Sequence, residues 1–542
     1  MAQAQPKFSL VQLVAVLSVL VLGVFLRVYQ LDDQIITGDE WHALHIAMQA
    51  DYGEIATSFG DADHSIPVAL YFKFLMDTVG LQQWMIQAPF VLAGCLLVFT
   101  IPWLLRGQLG RRSAIFTAGL FAISPILITQ ARFARPYPIA LLLSFVAVIY
   151  FYRWWQSRAR IDGAIYLLCT ALTGYLLILN LPFVLGAFGY VFICSLYSAN
   201  RSGDWQQCRN DVRDLFVLGL ATLLVLLIML LPPLLGDFAA LSEKAASGML
   251  GISSFAPVIS VFSGAGGAWL TGAVLLLASF GLITAIQRRI ILAGLLGFLA
   301  ILQCVAIAIA NPVGTENIVI IARYLVPVLP FLLILLALGL DQLAELIEAK
   351  IGHGWAYGLY GLLLLVSIML GPLPRAYYAP NNNIVLMTIS EIVLDVQSYE
   401  AMLTRPVAEF YTEQQALPAA ESLIVQAPYY YNFDYLPVYQ HLTGQRIAMG
   451  FTDGLCSNAR QGEIPIALQD KISLNNYFYL GEPEELRDGG VDYVVFHHNL
   501  EQEVLVPIIV DELDVEDCIS AYQSWFGEPV YSDNKITAFA IN

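Results

Sequence analysis

Long apolar stretches alternate with short polar ones through the first 373 residues. Read at about 20 residues apiece, the length that carries a helix across a bilayer core, they give eleven spans. These fall near 9–29, 86–105, 113–130, 138–155, 164–180, 182–199, 214–235, 269–286, 290–310, 325–340 and 355–373. The fifth and sixth are separated at Asn180-Leu181-Pro182, where proline interrupts the run. Beyond Pro372 and Pro374 the pattern shortens. Strand-like runs at 422–426, 492–497 and 536–541 alternate with helical ones at 482–488 and 501–513. Asp488-Gly489-Gly490 ahead of Val491 stops a helix and starts a strand. The pattern predicts a polytopic α-helical membrane domain over 1–373 and a soluble α/β domain over 374–542.

Composition agrees. Charged residues make up 13% of the chain, about half of the roughly 25% usual in soluble proteins. The tail, 374–542, holds 7 Lys/Arg against 24 Asp/Glu and so carries the whole net charge of −17. Nothing is basic enough to point to a nucleic-acid partner. Every second loop of the membrane half is rich in arginine: Arg106, Arg111 and Arg112, then Arg153, Arg158 and Arg160, then Arg201, Arg209 and Arg213, then Arg288 and Arg289. The last, 341–354, is weaker, because acids outnumber Lys350. Basic loops stay inside, which predicts a multi-pass protein of the inner (plasma) membrane with a cytoplasmic N-terminus. Eleven spans then put the acidic tail outside. Lys7 precedes an apolar run longer than a leader's, with no small-residue cleavage site after it, so the first run reads as a span that stays. Cys95, Cys169, Cys194 and Cys304 lie in apolar spans as packing residues. In an extracytoplasmic tail Cys456 and Cys518 can pair as a disulfide; the alternative is two separate core thiols.

Four segments open on the outer face: 30–85, Gln130–Tyr137, 236–268 and 311–324. The first includes an amphipathic stretch, 41–58, suited to the interface. The third is Gly/Ser-rich and reads as a mobile lid. The long first loop carries Gly38-Asp39-Glu40 and, further on, Asp61-Ala62-Asp63-His64-Ser65-Ile66-Pro67. Each acidic turn precedes an apolar helical run, so each carboxylate has two readings. It can favour the helix N-terminus, or it can serve as a general base toward a hydroxyl. Arg132, Arg135 and Arg323 lie on the outer face, where arginine is disfavoured. A planar guanidinium suits a phosphate; the alternatives are snorkelling to the interface or pairing with Asp39, Glu40 or Asp63. His497-His498, at a strand end with no companion ligands, does not read as a metal site.

The order of these pieces resembles the GT-C superfamily of membrane glycosyltransferases, in the branch with protein O-mannosyltransferases and lipid A aminoarabinose transferases. The resemblance rests on Gly38-Asp39-Glu40 in the first external loop and on Asp63-His64-Ser65-Ile66-Pro67-Val68-Ala69-Leu70-Tyr71 after it. It rests also on Ser124-Pro125 with Arg132-Phe133-Ala134-Arg135-Pro136-Tyr137, and on an Arg-Tyr-Leu-x-Pro-x-x-Pro motif from Arg323 to Pro330. It covers about residues 10–373; the tail resembles the family's outer domains only loosely. Two positions depart from the family: His-Pro-Pro is common where His64-Ser65-Ile66-Pro67 stands, and Gln87 replaces a frequent basic residue. The resemblance implies an inverting transfer from a polyprenyl-phosphate-sugar donor to an acceptor hydroxyl on a protein, lipid or glycan. Asp39 would be the base, with Glu40, Asp63 and His64 orienting it or the sugar. Arg323, with Arg132 or Arg135, would hold the phosphate, and Tyr137 and Tyr324 stand beside them among the substrate-binding residues. It implies membrane-lipid partners, no cofactor and no metal. The rival readings are a transporter, which the absence of an internal repeat disfavours, and a non-catalytic carrier-lipid-binding protein of envelope assembly.

Overall fold

In a computed structural model of the chain the described residues are 9–374 and, in the tail, 408–414, 422–427, 445–448, 451–453, 472–473, 477–479, 483–498 and 515–541. Within the first range, 32–35, 37–38, 60–64, 244–247, 265–267, 316–317, 352–354 and 372 lie outside them. The predicted helix 501–513 of the tail also lies outside.

The first apolar run is α1 (Leu10–Val28), opened by a capping box between Ser9 and Gln12. The long loop gives α2 (Asp39–Gln49), α3 (Tyr52–Thr57), α4 (Ile66–Thr78) and a short strand β1 (Leu81–Gln82). The amphipathic stretch 41–58 is thus two helices, broken after Gln49. Next come α5 (Gln83–Leu109), α6 (Arg111–Ile123), α7 (Pro125–Arg132) and α8 (Tyr137–Ser157). α9 (Arg160–Leu176) and α10 (Leu181–Ser202) are separated by a 3-10 turn at Ile178–Asn180, with Pro182 in the first turn of α10. After α11 (Trp205–Gly236), the loop 236–268 folds into α12 (Phe238–Glu243), a 3-10 turn and α13 (Ala256–Ser263). Then follow α14 (Ala268–Gln287), α15 (Ile291–Ala310), α16 (Ile318–Tyr324), α17 (Leu329–Ile351) and α18 (Trp355–Leu370).

All eleven apolar runs are helical. Among the described residues, eight stretches are long and apolar enough to cross a membrane, or nine if α6 and α7 form one bent span. The other two runs fall short. α9 has 17 residues and α18 has 16, so each reaches about 25 Å against a core of about 30 Å. The chain is a multi-pass membrane protein.

It divides into two compact units. One comprises residues 1–29, 52–68 and 88–372; the other comprises 30–51, 69–87 and 373–542. In the first, the 57° bend between α6 and α7 falls at Ser124-Pro125. Pro125 has no N–H to return to the carbonyl of Phe121, four residues back, so the last turn of α6 loses an acceptor's partner. Arg27, fully buried on α1, donates to the Phe121 carbonyl at 3.0 Å and the Ala122 carbonyl at 3.2 Å. It also donates to Gly23 O at 2.9 Å. Arg132, fully buried at the end of α7, donates in turn to the carbonyls of Arg27 (3.2 Å) and Tyr29 (2.8 Å), where α1 ends. Glycine makes the close approach possible: a Cβ on Gly94 of α5 would stand 2.2 Å from that of Ala131.

The arginine-rich end of this unit is held by an ion network. Asp341 of α17 pairs with Arg112 and with Arg288 (2.8 Å), and accepts from the Ser113 hydroxyl at 2.8 Å. Glu348 pairs with Arg112 at 2.8 Å, and Glu345 with Arg288 at 2.9 Å.

The second unit contains α19 (Glu409–Gln414), β2 (Leu423–Ala427), β3 (Arg446–Ala448), β4 (Phe451–Asp453), β5 (Ile472–Ser473), β6 (Tyr477–Tyr479), α20 (Pro483–Asp488), β7 (Tyr493–His497), α21 (Val515–Phe526), β8 (Tyr531–Ser532) and β9 (Ile536–Ala540). Five strands form a sheet in the order β3-β2-β7-β9-β8, with β2 parallel to β3 and β7, and β9 antiparallel to β7 and β8. Its core gathers Val425, Leu486, Val494, Phe496, Tyr522 and Phe539. Cys518, in the same core, is disulfide-bonded, and five other cysteines are free; Cys456 lies outside the described residues. β1, from the long loop, pairs in parallel with β5 of the tail, Leu81 opposite Ile472 and Gln82 opposite Ser473. Sequence patterning places a boundary at 373, but two pieces of the loop share a unit with the tail.

Arg27→Leu removes the donors to the carbonyls at the α6–α7 break. An unsatisfied buried acceptor costs about 1–3 kcal/mol, so thermal unfolding in detergent should shift down by several degrees. Arg213→Leu, at an exposed site, should melt close to wild type; equal melting of the two variants would overturn the role assigned to Arg27.

Candidate active site

Asp39 and Glu40 are the first two residues of α2, so the acidic pair occupies the turn where backbone N–H groups point outward and negative charge is favoured. Glu40 is fully buried, on a face continued by Ala43, Leu44, Ala47 and Met48. His45, one turn on, is buried too. A carboxylate removed from water is retained only where it is partnered or used. In the same unit the Tyr71 hydroxyl donates to Met85 O at 2.7 Å. Burial lifts its pKa above the usual phenol value, so it stays a neutral donor. Asp63 and His64 lie outside the described residues. Ser65, next in sequence, is buried at the start of α4, its carbonyl accepting from Val68 N at 3.0 Å.

The other candidate residues belong to the first unit. α7 ends at Arg132; Phe133 is its C-cap, and Arg135 N turns back to the Phe133 carbonyl at 2.7 Å. Pro136 then leads into α8, whose first residue is Tyr137. Arg132, Arg135 and Tyr137 are all buried. Arg323 stands in the last turn of α16, half-buried, with its guanidinium carbon 5.7 Å from the centre of the Phe133 ring. The 3-10 turn Val326–Val328, just beyond it, packs on α8. Two motifs far apart in sequence are therefore neighbours.

A residue missed in the sequence holds this junction. Gln303, fully buried on α15, donates from Nε2 to the Tyr324 carbonyl at 3.0 Å and to the Leu179 carbonyl at 2.9 Å. It ties the end of α16 to the break between α9 and α10. Arg27 was missed for the same reason. The signal for both is a strongly polar residue inside an apolar run, which has to find a partner within the bundle.

The arginines differ in what they can still do. Arg132 commits Nη1 to the end of α1. Arg323 is half-buried over an aromatic face, that of Phe133. Among the described residues no group of three or more His, Cys, Asp or Glu side chains is placed to hold a metal ion. Asp39 and Glu40 belong to the unit of the tail, whereas Arg132, Arg135, Tyr137, Arg323 and Tyr324 belong to the helical one.

Fold and residues define a polytopic helical membrane protein with a C-terminal α/β domain, carrying acids at a helix start and arginines at helix ends. No family model matches the chain, and no curated protein matches it. Solved structures do resemble it. ArnT from Cupriavidus metallidurans bound to undecaprenyl phosphate aligns over 98% of each chain at 15% identity, with a TM-score of 0.45. The Archaeoglobus fulgidus oligosaccharyltransferase with Zn and sulfate aligns over 89% of this chain and 68% of its own at 14% identity, TM-score 0.42. The arabinosyltransferase EmbB from Mycobacterium smegmatis aligns over 74% of this chain and 42% of its own at 12% identity, TM-score 0.39. These neighbours are GT-C glycosyltransferases.

Gln303→Leu should loosen the α16 end while leaving the spans in place. Tryptic cleavage after Arg323 in detergent is then expected to rise several-fold, and an unchanged cleavage rate would remove Gln303 as the tether.

Proposed function

We propose that this protein is a membrane glycosyltransferase that moves a sugar from a polyprenyl phosphate to an acceptor hydroxyl on the extracytoplasmic side. The observation that carries the reading is the meeting of Arg323 with the Arg132–Tyr137 segment through Phe133. It draws the two arginine motifs that resemble the GT-C pattern into one place, at helix ends where a lipid phosphate can arrive from the bilayer. The start of α2 at Asp39 supports the other half of the reading, since a helix N-terminus favours negative charge.

The reaction is a single displacement. The Asp39 carboxylate takes the proton of the acceptor hydroxyl as its oxygen bonds to the anomeric carbon of the sugar. The bond from that carbon to the phosphate oxygen breaks on the opposite face, so configuration inverts. The electron pair leaves with the polyprenyl phosphate, where Arg323 and Arg135 stabilise the added charge. Arg132 positions the segment through its hold on α1. Glu40, Asp63 and His64 orient the base or the sugar, and Tyr137 and Tyr324 flank the phosphate side.

The same reading sets the N-terminus in the cytoplasm of a cell with an inner (plasma) membrane, and the tail outside. The arginine-rich loops support that orientation. So does the disulfide at Cys518, which suits an oxidising compartment.

Purified protein incubated with polyprenyl-phosphate sugars and with peptide, glycolipid or polysaccharide acceptors should transfer sugar. Asp39→Asn should lower the rate by about 10²–10⁴-fold, the usual worth of a general base; transfer equal to wild type would sink the assignment. Arg323→Ala should raise the donor concentration needed for half-maximal rate, and an unchanged donor response would return Arg323 to a simple interfacial role.

A further inference from the structure

At the end of α6 opposite to the Pro125 bend, the surface of the bundle holds an open apolar groove between α1, α5 and α6. Its floor is Val19, Val98 and the small side chains of Ala114 and Ala118, one turn apart on α6. Phe99 and Trp103, stacked 5.6 Å apart on α5 and both partly exposed, form the rim. From Ala118 to Arg111 the α6 wall rises about 10 Å, the length of some eight methylenes of an acyl chain.

The groove ends in arginine. Arg106 and Arg111 line it, and the Arg106 guanidinium lies 3.7 Å from the centre of the Trp103 ring. Arg153 reaches over from α8 to donate to Leu104 O at 3.3 Å, and both Arg153 and Arg111 act on Arg106 as like charges. Elsewhere at this end of the unit the protein supplies its own counter-charges: Asp341 and Glu348 for Arg112, Asp341 and Glu345 for Arg288, Asp211 for Arg158. Among the described residues it supplies no carboxylate to Arg106 or Arg153. Arg106 and Arg153 thus bring positive charge to one end of an apolar slot, with no carboxylate of the described residues set against either.

We propose that this groove binds an anionic phospholipid of the surrounding leaflet. One acyl chain lies between α1, α5 and α6 against the Phe99–Trp103 rim, and the phosphate rests on Arg106 and Arg111. Basic pockets between spans recognise lipid headgroups in this way. The site is separate from the proposed transfer chemistry and does not depend on it.

The test is native mass spectrometry of the full-length protein, stripped of lipid in detergent and offered equal phosphatidylglycerol and phosphatidylcholine with matched acyl chains. The wild type should retain phosphatidylglycerol preferentially. Arg106→Gln/Arg111→Gln should lose that preference about thirtyfold, as expected when two phosphate contacts go. Ala118→Phe, which fills the slot and keeps the arginines, should lower retention of the same lipid. Arg213→Gln, on an exposed surface, serves as the control and should bind as wild type. Equal retention of the two lipids by the wild type would overturn the proposal. So would undiminished phosphatidylglycerol retention in both the double glutamine variant and Ala118→Phe, each shown to be folded by its elution as a single species.

Discussion

A guanidinium buried among apolar helices is tolerated here because it meets backbone carbonyls that have lost their own donors. Pro125 breaks the α6–α7 span and strips the end of α6 of a donor; Arg27 supplies the replacement. The end of α1 exposes carbonyls in turn, and Arg132 answers them. Each helix end carries partial negative charge, so it offsets both the hydrogen-bond deficit and the charge of the arginine set against it. With the small contact at Gly94 it fixes where α7 ends, and hence where the Phe133–Tyr137 segment begins.

The opposite end of the helical unit solves a related problem with side chains. The loop 341–354 looked least cytoplasmic by its charges, since acids outnumber Lys350. Those acids have identifiable work: Asp341, Glu345 and Glu348 draw Arg112 and Arg288 into one network across α6, α17 and the α14–α15 connection. The net charge of one loop therefore does not register the pairs its acids make with arginines of neighbouring connections.

Element existence was legible in the sequence wherever hydrophobicity alone decides it. All eleven apolar runs are helices, and the split before Pro182 and the strands at 423–427, 493–497 and 536–540 stand close to where the pattern puts them. What the pattern cannot register is direction. The run 113–130 reads as one span, yet Pro125 turns it by 57°, because a missing N–H changes geometry without changing hydrophobicity. The candidate site divides the same way. Its motifs could be read as Arg132–Tyr137 and Arg323–Tyr324, but their meeting through Phe133, and the Gln303 tether behind it, depend on tertiary packing. Asp39 and Glu40 read in the sequence as cap and first-turn acid of a helix starting near Trp41, or as a base. The helix begins at Asp39 itself, so both acids lie inside its first turn.

The pairing of β1 with β5 sets a condition on time as well as on shape. Leu81 is made early and Ile472 late, and at about 5–20 residues per second the earlier strand waits some tens of seconds for its partner. α2 belongs to the same unit. The spans can enter the bilayer one after another, but the unit bearing the acidic pair closes only once the tail has been made and delivered. A chain cut short before β5 would keep most of its helices and still lack a finished acidic unit.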